Sequence, residues 1–433
     1  MVFRRWRVSS TLLAVGLAAA ATITVSRAPV VSALERVRDL ASAPPESVGL
    51  SPDRLRRLDA TMKRMVDEGR LAGAVTILTR HGKIAHVTVT GKRDVRQTDP
   101  LRRDDIFRIA SMTKPVTGVA MMMLYEEGKW RLEDPITRHV PELADLKVYA
   151  GENPDGSMKL EDAKRPMTMR ELMTHTAGFG YVINNVHPVD RLYRQNGVLN
   201  SARPLQSLID GLAKLPLLAQ PGTRWYYSAA VDVQGYVIEK LSGQSFDEFA
   251  RTRIFEPLGM KDTGFFLRRD QVGRLALVHS EEPGGKLTPK DGGRADPTVR
   301  PLGPSGGGGL FSTADDYVRF CEMLLNRGEL RGVRLLAPRT VEMMRTNHVQ
   351  AEALKTMPPG TGWGLDFNVV MDAATAGEVT PTGTFHWFGI NGTWFWIDPV
   401  TDLTFVGMIQ HQGRAAAEIR GASRNLVYQA VVD

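Results

Sequence analysis

The spacing of hydrophobic residues changes from a helical to a strand period early in the chain. Residues 46–69 repeat apolar side chains at helical spacing, at Leu55, Leu58, Met62 and Met65. Residues 72–79 and 84–90 instead alternate and are rich in β-branched residues, with the turn residues 80–83 between them. The pattern therefore predicts an amphipathic helix followed by an antiparallel hairpin.

Helical periods dominate the middle of the chain, and strand patterns return near its end. Apolar residues recur at helical spacing after residue 111, after residue 228 and in residues 313–325. Residues 147–164 and 268–300 are polar and predict loops. Strand patterns at 363–370, 384–390, 393–397 and 403–410 precede a last helix at 416–431. We therefore predict an α+β fold, an antiparallel sheet with terminal helices and an inserted, mostly helical domain.

The pattern predicts that the N-terminal and C-terminal parts of the chain form one domain. Residues 34–110 and 301–433 form the predicted α/β domain, and residues 111–300 form the mostly helical domain. The helix after residue 111 lies at the seam between them. With 433 residues, the chain is long enough to bury such a core.

The net charge and composition limit which classes of binding partner are expected. The net charge of +7 includes four arginines before residue 35, and their removal would leave +3. No basic cluster with interleaved aromatics follows, so nucleic-acid binding is not expected.

Residues 1–33 combine a basic start, an apolar run and small residues, which predicts a cleaved signal peptide and export to the periplasm or outside. The alternative, an uncleaved membrane anchor, is less favoured because the apolar run is short.

The strongest chemical signal is Ser111-Met112-Thr113-Lys114. Ser111 is the only serine followed by a lysine three residues later. Residues three apart share one face of a helix, so Lys114 can reach the Ser111 hydroxyl and take its proton. The start of a helix also supplies free N–H groups that stabilise an oxyanion.

Two other residues compete for catalytic roles. His175 could act as a base, but a histidine before Gly178 at a helix end more often caps the helix. Ser305 lies in Gly303-Pro304-Ser305-Gly306-Gly307, which formally fits the nucleophile elbow of α/β-hydrolases. That elbow needs a strand before it and a helix directly after it. Neither is predicted here, so we expect this segment to line a cleft.

In order along the chain, these motifs resemble the serine β-lactamase and penicillin-binding protein superfamily. The similarity is greatest to class C β-lactamases and family VIII carboxylesterases. It covers Ser-x-x-Lys, His175-Thr-Ala-Gly, Tyr227-Ser228, the glycine-rich loop with the Leu-Phe-Ser-Thr that follows it, and a strand motif at His386-Trp387-Phe388-Gly389.

The resemblance implies roles for particular residues. Ser111 would be the nucleophile, with Lys114 and Tyr227 moving protons; Tyr226 is the neighbour that could be mistaken for Tyr227. The backbone N–H groups of Ser111 and Ile390 would hold the oxyanion. His386, Trp387 and Gly389 would contact the substrate.

The same resemblance implies a serine hydrolase that forms an acyl-enzyme without a metal or cofactor. β-Lactamases carry Lys-Thr-Gly where this chain has Trp387, and Tyr-x-Asn where it has Ala229. A site without those polar partners favours a small ester over a β-lactam. The alternatives are a β-lactamase or D-alanyl-D-alanine carboxypeptidase acting on an amide, and a non-catalytic scaffold with the same fold. Membrane contact is expected only through an uncleaved signal.

Overall fold

A computed structural model describes residues 40–184, 186–282, 284–290 and 296–433. The predicted signal peptide, residues 1–33, lies outside the described residues. Within them, no helix is both long and apolar enough to cross a membrane.

The helices and strands alternate irregularly along the chain. The α-helices are α1 (Pro52–Asp67), α2 (Thr113–Glu126), α3 (Met169–Met173), α4 (Pro188–Gln195), α5 (Leu205–Leu212), α6 (Ala230–Ser242), α7 (Phe246–Ala250), α8 (Glu256–Leu258), α9 (Ala314–Leu325), α10 (Pro338–Met344), α11 (Ala351–Leu354), α12 (Ala373–Ala376) and α13 (Arg414–Tyr428). The strands are β1 (Gly73–Arg80), β2 (Lys83–Gly91), β3 (Phe107–Arg108), β4 (Lys147–Glu152), β5 (Met158–Asp162), β6 (His279–Glu281), β7 (Leu287–Pro289), β8 (Phe311–Ser312), β9 (Glu329–Leu330), β10 (Val333–Arg334), β11 (Thr361–Trp363), β12 (Asn368–Val370), β13 (Phe385–Phe388), β14 (Trp394–Asp398), β15 (Leu403–Met408) and β16 (His411–Gln412).

The main sheet joins the two ends of the chain. Its seven strands run β11-β12-β13-β14-β15-β1-β2, and each neighbouring pair is antiparallel. The first hairpin enters the sheet where β1 pairs with β15, with Val75 opposite Met408. The turn of that hairpin places His81 and Gly82 at positive φ, which suits a two-residue hairpin connection.

Both faces of the sheet are covered. The apolar stripe of α1 that the sequence predicts packs with residues of α13 and with Trp394, Trp396 and Phe405 of the sheet. The other face belongs to a larger core that includes α2, α6 and α9. Because helices cover both faces, every residue of β1 is buried.

The helix after residue 111 lies inside this larger core. All residues of α2 from Thr113 to Leu124 are buried. The capping box predicted at Thr168 and Glu171 is present at the start of α3, which leads to His175. No observation tests the predicted boundaries between the two domains, and they stay a prediction.

Three predicted elements are wrong. Residues 268–300, predicted as a loop, contain the antiparallel pair β6 and β7, which joins β16 in a three-stranded sheet. Residues 363–370 form two strands, β11 and β12, because the chain reverses at Asp366, where φ is +68°. Residues 147–164, predicted as a loop, contain the hairpin of β4 and β5. The hairpin has mostly exposed or half-buried residues, so its strands lack a strong apolar alternation.

Candidate active site

Ser111 lies in a short 3₁₀ turn, Ala110–Met112, directly before α2. Ala110 has a φ of +45°, a left-handed conformation that is strained for a residue with a Cβ. The turn is held from outside by Tyr317, whose hydroxyl donates to the Met112 carbonyl at 2.8 Å. Ser111 is 8% exposed, so the surrounding structure fixes it and leaves only a small part open.

Lys114 is completely buried and points at Ser111. Its Nζ donates to the Gly307 carbonyl at 2.6 Å, to the Tyr181 hydroxyl at 3.3 Å and to Ser111 Oγ at 3.4 Å. The structure therefore brings together the serine and the lysine of the motif. The 3.4 Å contact between Lys114 and Ser111 is longer than the usual N–H···O distance of about 2.7–3.2 Å.

Tyr227 reaches Lys114 through its ring. Nζ lies 4.4 Å from the centre of the Tyr227 ring, whereas the Tyr227 hydroxyl accepts from Trp387 Nε1 at 3.4 Å. Tyr226 points elsewhere, and its hydroxyl donates to Asp190 at 2.5 Å. Of the two adjacent tyrosines, Tyr227 is thus the one beside the lysine, which it contacts through its ring while its hydroxyl contacts Trp387.

Tyr181 is a residue that sequence reasoning missed. Its hydroxyl lies 3.3 Å from Lys114 Nζ, and its ring centre lies 5.4 Å from that of Tyr227. Burial and the nearby Asp232 raise the pKa of Tyr181 well above its usual value, so its hydroxyl keeps its proton. The only sequence signal was its place three residues after the His-Thr-Ala-Gly motif.

Two backbone N–H groups are available for an oxyanion. In the described part of the chain, neither Ser111 nor Ile390 donates its N–H to another protein group. Gly389 packs so tightly on the segment before the serine that a Cβ there would lie 2.4 Å from the Ile109 carbonyl. This contact brings the end of β13 against the predicted nucleophile and explains why position 389 requires glycine.

The alternation of β13 separates two residues that were predicted to bind substrate. Trp387 faces the site, with its ring 5.3 Å from that of Tyr227 and 4.5 Å from that of Trp363. His386 belongs to the opposite face, where burial and the positive charges of Arg424 and Arg420 on α13 lower its pKa well below the usual value. Successive strand residues face opposite sides of the sheet, so the structure does not bring His386 together with Trp387.

His175 is a structural residue here. Its Nδ1 accepts from the backbone N–H of Ser228 at 3.1 Å and lies 3.0 Å from the Ser228 hydroxyl. Burial and the charge of Lys114 lower its pKa well below the usual value, so the ring stays neutral. Its ring also lies 4.9 Å from that of Tyr227, and it helps to hold Tyr227 in place.

Ser305 lies outside the Ser111–Lys114 pair. Its hydroxyl donates to Asp232 Oδ1 at 2.5 Å, and the lysine instead contacts the carbonyl two residues later, at Gly307. The segment lines a cavity of about 560 Å³ that extends between α5, Ala110 and Asn391. The expectation that this glycine-rich segment lines a cleft is confirmed.

Comparison with known proteins gives the family. The Beta-lactamase family model matches residues 58–429. The chain belongs to the Beta-lactamase family. Protein Rv1367c of Mycobacterium tuberculosis is 38% identical over 369 residues, covering 81% of this chain and 89% of the relative. Esterase EstB of Burkholderia gladioli is 32% identical over 367 residues, covering 80% of this chain and 88% of EstB.

A solved structure supports the same placement within the family. The structure described as EstCE1, a hydrolase with promiscuous acyltransferase activity, shares 27% identity and superimposes with a TM-score of 0.73. The match covers 89% of this chain and 99% of EstCE1. The predicted β-lactamase-like α+β fold is confirmed, and the chain is an esterase-like serine hydrolase of this family.

Proposed function

We propose that this protein hydrolyses small carboxylic esters through an acyl-enzyme on Ser111. The observation that carries the proposal is the buried Lys114 within 3.4 Å of the Ser111 hydroxyl, beside two N–H groups that donate to no described residue. EstB, an esterase by name, is similar over most of its length and supports an ester as the substrate.

The proposed reaction has two steps. In the first, Ser111 Oγ attacks the ester carbonyl carbon while Lys114 takes the hydroxyl proton, and Tyr227 relays that proton to the leaving alcohol as the C–O bond breaks. In the second, water attacks the acyl-serine, gives a proton back through the same groups, and releases the acid and Ser111. The N–H groups of Ser111 and Ile390 stabilise the oxyanion in both steps; one such donor typically contributes about 10²–10³ in rate.

The second candidate is transfer of the acyl group to an alcohol in place of water. The rings of Tyr227, Trp387 and Trp363 form a continuous aromatic wall beside Lys114, which suits an organic acceptor. EstCE1, which has a similar fold, is described as having promiscuous acyltransferase activity. Adding an alcohol to the ester assay and measuring the new ester separates transfer from hydrolysis.

The decisive experiment compares substrates on the intact protein. Turnover of a short p-nitrophenyl ester should exceed turnover of nitrocefin, and a fluorophosphonate probe should add its mass to the peptide that carries Ser111. Greater nitrocefin turnover would instead support the β-lactamase or carboxypeptidase alternative. A protein that neither labels nor turns over any of these substrates would support the non-catalytic scaffold.

Trp387 offers a test of substrate preference. Trp387→Lys restores a cation near the missing Lys-Thr-Gly lysine, so we expect ester kcat/KM to fall about ten-fold and penicillin acylation to rise. Trp387→Phe is the matched control, because it keeps an uncharged aromatic ring near Tyr227 while losing the larger indole ring and its N–H. The measurement is kcat/KM for both substrates in both variants. If Trp387→Lys lowered both activities equally, Trp387 would not set the preference.

We also propose that the protein is exported. The proposal rests on the basic start and apolar run of residues 1–33. The intact mass of protein recovered from outside the cytoplasm should correspond to cleavage near residue 33. A full-length mass in that fraction would support the anchor.

A further inference from the structure

The position of Lys114 Nζ depends mainly on one backbone carbonyl. Its 2.6 Å bond to the Gly307 oxygen is much shorter than its contacts with Tyr181 and Ser111, at 3.3 and 3.4 Å. Lys114 is fully buried, so water does not replace these partners. Whatever fixes the Gly307 peptide therefore fixes the lysine.

Asp232 holds that peptide from the first turn of α6. Its Oδ1 accepts from the Gly307 N–H at 3.1 Å and from the Ser305 hydroxyl at 2.5 Å. The loop packs directly on this turn, because a Cβ at Gly306 would lie 2.3 Å from the Val231 carbonyl. The carboxylate thus binds both ends of the short segment that supplies the lysine's acceptor.

The second oxygen of Asp232 faces the same site. Asp232 is 1% exposed, and its Oδ2 has no hydrogen-bond partner among the described residues. A Cβ on Gly307 would meet Asp232 Oδ2 at 2.5 Å and the Tyr181 hydroxyl at 3.0 Å, so the two groups are neighbours. A buried carboxylate with a free oxygen is costly unless a positive charge lies close by.

Other titratable groups around Lys114 do not carry a negative charge that could balance its ammonium. His175 stays neutral, Tyr181 keeps its proton, and Tyr227 contributes the face of its ring. Asp366, in the turn between β11 and β12, is fully buried; burial raises its pKa well above the usual value, although a hydrogen bond from Gln234 and the charge of Lys114 act in the opposite direction. Burial likewise raises the pKa of Asp232, against the effects of Lys114, Ser305 and the Gly307 N–H. What distinguishes Asp232 is its geometry, because it bonds the peptide whose carbonyl holds the lysine.

We propose that Asp232 is the positioning residue of Lys114, holding the Gly307 carbonyl in place and compensating the ammonium that forms when Lys114 takes the Ser111 proton. Asp232 acts through Lys114 and does not touch the reacting atoms. The proposal rests on the hydrolytic function proposed above and adds to it a residue more than a hundred positions from the motif.

The test is Asp232→Asn, which keeps the shape of the side chain and removes its charge. We expect kcat to fall about ten-fold or more with KM within a few-fold, because substrate binding is left intact. Loss of the negative charge disfavours protonated Lys114, so the acid limb of the kcat–pH profile should move to lower pH. A purely structural role would leave that limb where it is.

Asp398→Asn is the matched control. Asp398 is equally buried and accepts from the Val400 and Thr401 N–H groups and the Tyr428 hydroxyl, none of which belongs to the site. It should lower the melting temperature without moving the acid limb. An unmoved limb in Asp232→Asn, or the same profile in both variants, would overturn the proposal.

Ser305→Ala keeps the test decisive if Asp232→Asn does not fold. It removes one donor from Asp232 Oδ1 and should move the acid limb in the same direction by a smaller amount, with activity within a few-fold. An unmoved limb in this variant would likewise contradict the proposal. Failure of the hydrolytic function itself is distinguishable, because the wild-type protein would then fail to label at Ser111.

Discussion

Ser111→Ala is expected to abolish covalent labelling and to lower ester kcat/KM by about 10⁴–10⁶-fold, as loss of a nucleophile does in other serine hydrolases. The substitution removes one oxygen and opens no large cavity. The turn that carries it remains held by Tyr317 and by the bond from Thr113 Oγ1 to the Ala110 carbonyl. The melting temperature should therefore stay close to that of the wild type.

The measurement is ester kcat/KM together with the intact mass after incubation with a fluorophosphonate. Ser305→Ala is the informative comparison, because Ser305 belongs to the competing Gly-x-Ser-x-Gly motif. The Ser305→Ala variant should still be labelled by the fluorophosphonate. Activity that survived in Ser111→Ala but disappeared in Ser305→Ala would assign the chemistry to Ser305.

Lys114→Met should lower kcat/KM by about 10³-fold or more, because the nucleophile and its base act as a unit. Methionine fills most of the buried space of the lysine, so the loss reports chemistry more cleanly than alanine would. It also leaves the Gly307 carbonyl without its donor and Asp232 without a nearby cation. Some loss of stability is expected as well.

The rate of fluorophosphonate labelling measures this effect directly, alongside the melting temperature. Lys129→Met is a suitable control, since Lys129 donates to the Leu241 carbonyl at 3.0 Å from a half-exposed position outside the site. It should keep activity within a few-fold. A Lys114→Met variant that labelled at the wild-type rate would exclude the lysine as the base.

Features that depend on one local pattern could be predicted from the sequence alone. The stripe of α1, the first hairpin and the capping box at Thr168 follow from period, turn residues and side-chain chemistry within a few positions. The meeting of Ser111 with Lys114 also follows from spacing on one helix. The separation of His386 from Trp387 could have been predicted, because successive residues of a strand face opposite ways.

Other features depend on contacts between distant parts of the chain. Tyr181 and Gly307 reach Lys114 from far along the sequence, and no local pattern identifies either as its partner. The reversal at Asp366 interrupts an apolar run that has the pattern of one strand, because the left-handed conformation sits on an aspartate and not on a glycine.

The pairing of β1 with β15 also determines when the molecule can fold. Contacts between residues so far apart carry a high loop-closure cost and slow the folding reaction. During synthesis, the edge of β1 stays open until β15 has left the ribosome, because Val75 and Ile77 have no other partners on that side. The segment from Ser111 onward is made long before the strand end that carries Gly389 and Ile390 can meet it. Until the last strands arrive, the nascent chain exposes an unpaired, apolar strand edge, and this is the stage at which we expect it to depend on chaperones.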